Sequence, residues 1–376
     1  LFLLGFDVEK LDSGYVITGT EEHANINYCW VSRVDPELNT IWKKRFPISG
    51  NAFQVNPMTI TLAVLQNKDI ILVAKSYHTD QNLTFTEVIS LNENGDFNWG
   101  KKWSNSIPYC CYFTYDLNLI AELPSGEIRI SHSVKHGNLQ IQLDPGGNVL
   151  LSNYVFPTDL SDSSYAILNL PCQDGGFLQI HRRMIRNTSV VKLNSNYQLE
   201  WTREYSLPGK NVWMTNASEN SDGSFWLFGS MSLTQNSGFL NDAYGVLKIS
   251  GSGQLLEATA YPSSESINFG FGEIFPSGNN TFYFNSTEAE IGTLDLNAGT
   301  IQQQSLDIFQ ANHGFQNLHR FTDGTWSMTG MGADWTKSNI HFFPQITNHV
   351  CLQATVDQIT GHSIPLSEFD MSAPAF

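Results

Sequence analysis

The stretch "VVKLNSNYQLEW" (190–201) holds an apolar strand, a tight turn and the start of a second strand that reaches Trp201. Nearly the same phrase stands at "VSRVDPELNTIW" (31–42), "VISLNENGDFNW" (88–99) and "VLKISGSGQLLE" (246–257). An Asp, Asn or Ser opens each reversal, and Gly or Asn is expected at the left-handed position. The turn residues Asp35, Asn92, Asp144, Asn194, Ser250, Asn297 and Asp357 are 57, 52, 50, 56, 47 and 60 positions apart. A period of roughly fifty residues, repeated seven times, is the mark of a repeat architecture.

A second hairpin precedes each of these phrases. Its turns open "LDSGYVITGT" (11–20), "LQNKDIILVAKS" (65–76), "LPSGEIRISHS" (123–133) and "CQDGGFLQIHR" (172–182). Three more open "NSDGSFWLFGS" (220–230), "FPSGNNTFYFNS" (275–286) and "FTDGTWSMTGM" (321–331). Gly, Asp, Asn or Ser followed by β-formers reads as a hairpin. The unit is therefore four antiparallel strands, which at this period is a propeller blade. The sequence predicts an all-β, seven-bladed β-propeller of four-stranded antiparallel blades, one domain over 1–376. Its blades fall at 6–47, 57–104, 112–156, 164–207, 212–262, 267–308 and 313–366. Trp42, Trp99 and Trp201 each follow their turn residue by seven positions, and are expected to anchor the outer strand between neighbouring sheets. Leu151 and Ile364 stand there in the third and seventh units, and "LFLL" (1–4) is expected to pair with the last blade.

Composition excludes several classes. The net charge of −16 argues against nucleic acid and against anionic membrane surfaces, both of which need Lys and Arg. Hydrophobic residues make 41% of the chain, ample for a large core, while only 15% are charged, leaving a surface of Asn, Ser, Thr and Gly. The most apolar N-terminal run, "LFLLGF" (1–6), is far short of the about 20 residues of a membrane span. The chain begins without Met, which is read as an upstream segment having been removed. Five cysteines make no disulfide framework, and the sequons at Asn82, Asn187, Asn216, Asn279 and Asn285 are what an Asn-rich chain gives by chance.

The unit "DGGFLQIHRR…TSVVKLNSNYQLEWTREYS" (174–206) resembles a repeat common in exported bacterial proteins, especially those of the Bacteroidetes. "DSGYVITGT" with "SRVDPELNTIWKKRF", and "SDGSFWLFGS" with "LKISGSGQLLEATAY", are similar to it as well. The resemblance covers nearly the whole chain and carries no catalytic residues. It implies a propeller that is exported and either periplasmic or attached to the outer membrane or cell surface. It also implies a binding or accessory role, beside an integral outer-membrane protein of a secretion or uptake complex.

In a four-strand meander the tight turns lie on one face and the long connections on the other, so the loop-rich face is the expected working face. Its largest loops are "MSLTQNSGFLNDA" (231–243) and "MGADWTKSNIHFFPQITNH" (331–349). Trp335, Phe342 and Phe343 beside Asp334, with Phe239 and Asn241 in the neighbouring loop, are the candidate partner-binding residues. "HRRMIR" (181–186) reads as a solvated loop able to grip a carboxylate or phosphate. "HSVKH" (132–136) lacks a third ligand and "TDLSDSS" (158–164) lacks calcium-loop spacing, so no metal is expected.

Adjacent Cys110 and Cys111 bring to mind the disulfide ring of quinone-dependent propeller dehydrogenases, but no unit carries their T-G-x-x-x-W pattern. "SDGSFW" and "TDGTW" only brush the sialidase box, and neither a G-x-S-x-G elbow nor an H-E-x-x-H helix occurs. The sequence therefore favours a non-enzymatic binding or scaffold propeller with a protein partner and no cofactor. A glycan-binding, carbohydrate-active or quinone-cofactor propeller, with its site at the channel mouth, is the second reading.

Overall fold

A computed structural model describes residues 7–23, 26–51, 55–78, 83–105, 119–123, 125–134, 137–155, 165–182, 187–207, 210–233, 241–267, 271–278, 280–286, 290–305, 315–320, 325–331, 338–343, 356–360, 362–363 and 367–370. Among these there is no helix, and the strands form seven antiparallel sheets. The first is β1 (Asp7–Lys10), β2 (Tyr15–His23), β3 (Ile26–Val34) and β4 (Thr40–Asn51). The second is β5 (Val55–Val64), β6 (Ile70–His78), β7 (Leu83–Leu91) and β8 (Phe97–Asn105). The third is β9 (Leu119–Glu122), β10 (Ile128–Val134), β11 (Gly137–Leu143) and β12 (Val149–Val155). The fourth is β13 (Tyr165–Pro171), β14 (Phe177–Arg182), β15 (Thr188–Leu193) and β16 (Leu199–Ser206). The fifth is β17 (Val212–Glu219), β18 (Phe225–Met231), β19 (Asn241–Ile249) and β20 (Leu255–Ile267). The sixth is β21 (Phe271–Gly278), β22 (Thr281–Ser286), β23 (Glu290–Asp295) and β24 (Thr300–Ser305). The seventh is β25 (Phe315–Arg320), β26 (Trp326–Met331) and β27 (Ser338–Phe343).

Six sheets are four-strand meanders, as the repeat predicts; the seventh has three strands. Its expected closing hairpin is used elsewhere: β28 (Val356–Thr360), β29 (His362–Ser363) and β30 (Ser367–Asp370) add to β24, β20 and β16 in turn. The reason is local. The third residue after the turn residue has positive φ at Leu38 (67°), Gly95 (78°), Gly147 (79°), Tyr197 (60°) and Gly253 (81°). After Asp357 that place falls to Thr360, whose branched Cβ resists positive φ, and the segment is the strand β28; Thr300 stands at the same place after Asn297, and there the chain reverses through Gly299 (φ 65°) instead. Leu38 and Tyr197 also correct the expectation that only Gly or Asn takes the left-handed place. In the sixth sheet the turn is capped by Asp295 rather than Asn297, with Asn297 N and Ala298 N donating to its Oδ1 at 2.9 and 3.0 Å.

The turn chemistry repeats closely. In the opening phrase Asn194 N donates to Gln198 O at 2.9 Å, Tyr197 N donates to Asn194 O at 3.0 Å, and the Asn194 side chain accepts from Asn196 N and Gln198 N. This is a tight turn followed by a one-residue bulge, seen as the register shift between Lys192 and Leu193.

The chain divides into two compact units: Leu1–Tyr154 with Gln316–Thr347, and Val155–Phe315 with Asn348–Phe376. In the first, sheets pack face to face. Ile70, Leu72 and Ala74 turn to Val16, Cys29 and Val31 of the first sheet, while Ile71 and Val73 turn to Ile128 and Ile130 of the third. Burial on both faces explains why "IILVA" is apolar without alternation. In the second unit Phe228, Tyr244 and Val246 meet Phe282, Phe284 and Leu294.

The tryptophans join successive sheets as expected. Trp42 Nε1 donates to Glu93 O at 3.2 Å and Trp99 Nε1 to Pro145 O at 3.2 Å in the first unit. Trp201 Nε1 donates to Gly251 O at 2.9 Å in the second. Each ring lies on a glycine of the next turn, so that a Cβ at Gly95, Gly147 or Gly253 would come within 2.9, 2.5 or 2.9 Å of it. Gly253→Ala therefore combines positive-φ strain with a clash and is expected to cost roughly 2–4 kcal/mol in urea unfolding, as is Trp201→Ala. Gly223→Ala, at φ +76° with nothing within 4 Å of the new Cβ, should cost only about 1 kcal/mol.

Candidate functional site

The first strand of the first sheet carries two carboxyl groups at places where the second sheet has Thr61 and Ala63 and the fifth Asn216 and Ser218. Asp7 and Glu9 are two apart on β1, so they share one face of the strand. Asp7 Oδ2 accepts from Thr61 Oγ1 at 2.6 Å and from Leu62 N at 2.9 Å, both on β5, and Asp7 Oδ1 accepts from Val8 N at 2.9 Å. The same face continues to Leu11, in the apolar cluster with Val16, Ile60 and Leu62. Glu9 itself is half-buried, beside Asp7 on the strand. Burial first, and then the negative charge of Asp7, push its pKa from 4.5 up to about 8. A carboxyl that keeps its proton at neutral pH beside a second carboxylate can do acid–base work.

A second buried polar group lies in the other unit. Gln179 and His181 alternate on one face of β14, with Asn169 opposite Gln179 and Ser189 opposite His181. All four are buried. His181 Nε2 lies 3.2 Å from Gln179 Oε1, and burial lowers its pKa to about 3, so it stays neutral. It offers hydrogen bonds but no charge. Lys192, on the opposite face, is tied to Asp174 at 2.6 Å and Glu200 at 3.2 Å. Among the described residues no three His, Cys, Asp or Glu come together as a metal site. Cys29 and Cys172 are free buried thiols, pushed up to about 12 by burial, which makes them poor nucleophiles.

The residues chosen from sequence are not gathered by this site. Phe342 and Phe343, expected in a loop, belong to β27 and stand opposite Ser327 and Trp326 of β26. Asn241 likewise begins β19, opposite Ile267. Asp334, Trp335 and Phe239 lie outside the described residues, as do Cys110, Cys111, His136, residues 158–164 and "LFLL". "HRRMIR" was expected to be a loop, but His181 and Arg182 are strand, and His181 is buried; residues 183–186 lie outside the described residues. Asp7 and Glu9 were missed, although the signal is present. "FDVEKL" places two acids at strand spacing where "TITLAVL" and "NLIAEL" begin on apolar or neutral residues.

The raised Glu9 fixes a pH dependence. Between pH 4.5 and about 8 the folded chain holds a proton that the unfolded chain has given up. Stability from this group is therefore full below 4.5, falls as pH rises to about 8, and is flat above. His181 acts at the other end: its lowered pKa means stability is lost as pH falls from 6.5 towards about 3. Glu9→Gln should flatten the alkaline slope of the urea midpoint and leave the acid slope unchanged; His181→Gln should do the reverse.

No protein-family model matches the chain, and no curated protein matches it. Solved structures of similar fold include the α-L-arabinofuranosidase Arb93A from Fusarium graminearum, 12% identical with a TM-score of 0.47 over 91% of this chain and 92% of that one. The α-L-arabinanase of Penicillium chrysogenum is 12% identical with a TM-score of 0.46 over 91% and 93%. The β-propeller domain of the Trilobed protease from Pyrococcus furiosus is 9% identical with a TM-score of 0.34 over 78% and 97%. The expectation of a non-enzymatic scaffold is corrected here. The first two of these structures are of glycoside-cleaving enzymes, and Asp7 and Glu9 are a carboxyl pair that the sequence reading left out.

Proposed function

We propose that the protein is a carbohydrate-active enzyme on a seven-bladed β-propeller, cleaving glycosidic bonds with Glu9 as the proton donor. The observation that carries this reading is the raised pKa of Glu9 beside Asp7. Glycoside cleavage needs one carboxylic acid and one carboxylate. Two residues apart on one strand, the two side chains leave from the same face. In the reaction Glu9 gives its proton to the leaving glycosidic oxygen as the bond from that oxygen to the anomeric carbon breaks. Asp7, aimed by Thr61 and Leu62, takes a proton from the attacking water, whose oxygen forms the new bond to that carbon. Asp7 then gives its proton up to solvent and Glu9 takes one back, which restores both groups. The sevenfold repeat of the sequence supports the propeller, and the repeat resemblance supports an exported location, where polymeric glycans are met.

The test is turnover of a panel of aryl glycosides and polysaccharides by the purified chain. Glu9→Gln should lower the rate on natural linkages by about 10²–10⁴-fold, yet lose far less on dinitrophenyl glycosides, whose leaving group needs no proton. The rate should fall as pH passes about 8, where Glu9 ionises. No turnover across the panel, or full activity in Glu9→Gln, would sink the reading; binding without turnover would leave a lectin.

A further inference from the structure

The last strand of a four-strand meander leaves a row of unpaired N–H and C=O groups. In the fourth, fifth and sixth sheets the chain's own C-terminal segment takes that row, with β30, β29 and β28 adding antiparallel to β16, β20 and β24. That segment is acidic: it carries Asp357, Glu368 and Asp370, and no Lys or Arg follows Lys337. Its register sets Asp370 opposite Arg203. Arg203 stands two residues after Trp201, and the same place after Trp42 and Trp99 is held by Lys44 and Lys101.

Those lysines lie on β4 and β8, the last strands of the first two sheets, which have no fifth strand among the described residues. The two strands are long, 12 and 9 residues. In a chain of net charge −16 they carry Lys43, Lys44, Arg45, Lys101 and Lys102. Lys43 lies over the Trp30 ring at 4.6 Å, and Lys102 is 3.1 Å from Glu87, so these chains are laid along the sheet. At the turn end of the edges Ile41 and Phe97 are 53% and 61% exposed. The third sheet has Asn153 at the matching place and lacks the charge.

We propose that the edges of β4 and β8 bind an extended acidic segment of a partner protein as an antiparallel fifth strand, its carboxylates opposite Lys44 and Lys101. Main-chain hydrogen bonds supply affinity in this mode and side-chain register supplies choice. Lysine on an open edge repels neutral and basic strands, so the same residues that protect the edge select an acidic one. The fourth sheet displays the pairing in cis: the same edge, a basic residue at the same place, and a carboxylate across from it, where the fifth and sixth set Thr259 opposite Ser363 and Gln303 opposite Asp357.

The probe is a labelled synthetic peptide of residues 356–370, with a control in which Asp357, Glu368 and Asp370 are replaced by Lys, titrated against the full chain. The acidic peptide should bind, weaken at least about tenfold between low and high salt, and protect amides of β4 and β8 from hydrogen exchange. Lys44→Glu with Lys101→Glu should lower its affinity at least about tenfold, while Lys44→Arg with Lys101→Arg retains it at an unchanged melting temperature. Equal binding of the basic control would overturn the proposal, as would protection confined to β16, β20 and β24. Competition by polygalacturonate, with no exchange protection of the edges by the peptide, would overturn it in favour of an anionic glycan. Self-association of the full chain that Lys44→Glu and Lys101→Glu abolish would assign the edge to a second copy instead.

Discussion

A tryptophan ring laid on a glycine is the contact from which the rest of this architecture follows. A four-strand meander buries one face only against another sheet, so no unit is stable until its neighbour is fixed in place. Trp42, Trp99 and Trp201 fix it twice over, by the ring against the next turn's backbone and by the indole N–H on that turn's carbonyl. The ring occupies the space a Cβ would fill. The second sheet carries half of two joints, Trp99 at its end and Gly95 in its turn. In the fourth sheet Tyr197 takes the left-handed place and stacks on Phe177 with ring centroids 5.4 Å apart.

That packing also makes the chemistry. β1 sits at the seam of the first two sheets, with Leu11 and Val16 in the apolar cluster. A carboxyl placed on the same face one step from Leu11 loses water, and its charge is opposed by Asp7. Asp7, one step further along, is instead met by Thr61 and the Leu62 amide, donors that suit a carboxylate. Two like residues on one strand are driven to opposite roles by what lies beside each. The seam that stabilises the sheets is what holds the proton on Glu9.

Much of this is legible in the chain. The turn residues, the strand alternation and the tryptophans lead to six meanders because each is a local signal with a local cause. The reading failed where a local signal was incomplete. Asp357 looks like the other turn openers, but the branched Thr360 three residues on disfavours positive φ, and the segment runs on as the straight strand β28. The aromatics of 338–343 suggested a loop anchor; their spacing fits β27 equally well, and only pairing with Trp326 to Met331 decides it. Asp7 and Glu9 were passed over because acids in a strand read as exposed alternation. The partners of Asp7, Thr61 and Leu62 on β5, are 54 and 55 residues away. The coupling of Trp in one unit to Gly in the next was also present in the sequence, as Trp42 with Gly95, Trp99 with Gly147 and Trp201 with Gly253.

Every meander that joins its neighbours by faces still ends in an open edge, and this chain treats that edge in two ways. In the second unit the edge is filled by a strand that failed to make its own hairpin, since β28 is the segment freed by Thr360. In the first, the edges of β4 and β8 are long, basic and bordered by exposed Ile41 and Phe97. Protection alone would call for charge without apolar surface. Charge beside apolar surface, on a strand whose counterpart Arg203 already faces Asp370, is the composition of an edge that discriminates between strands. The defect in the seventh sheet and the basic edges of the first two thus have one origin, the edge groups that a four-strand unit cannot satisfy by itself.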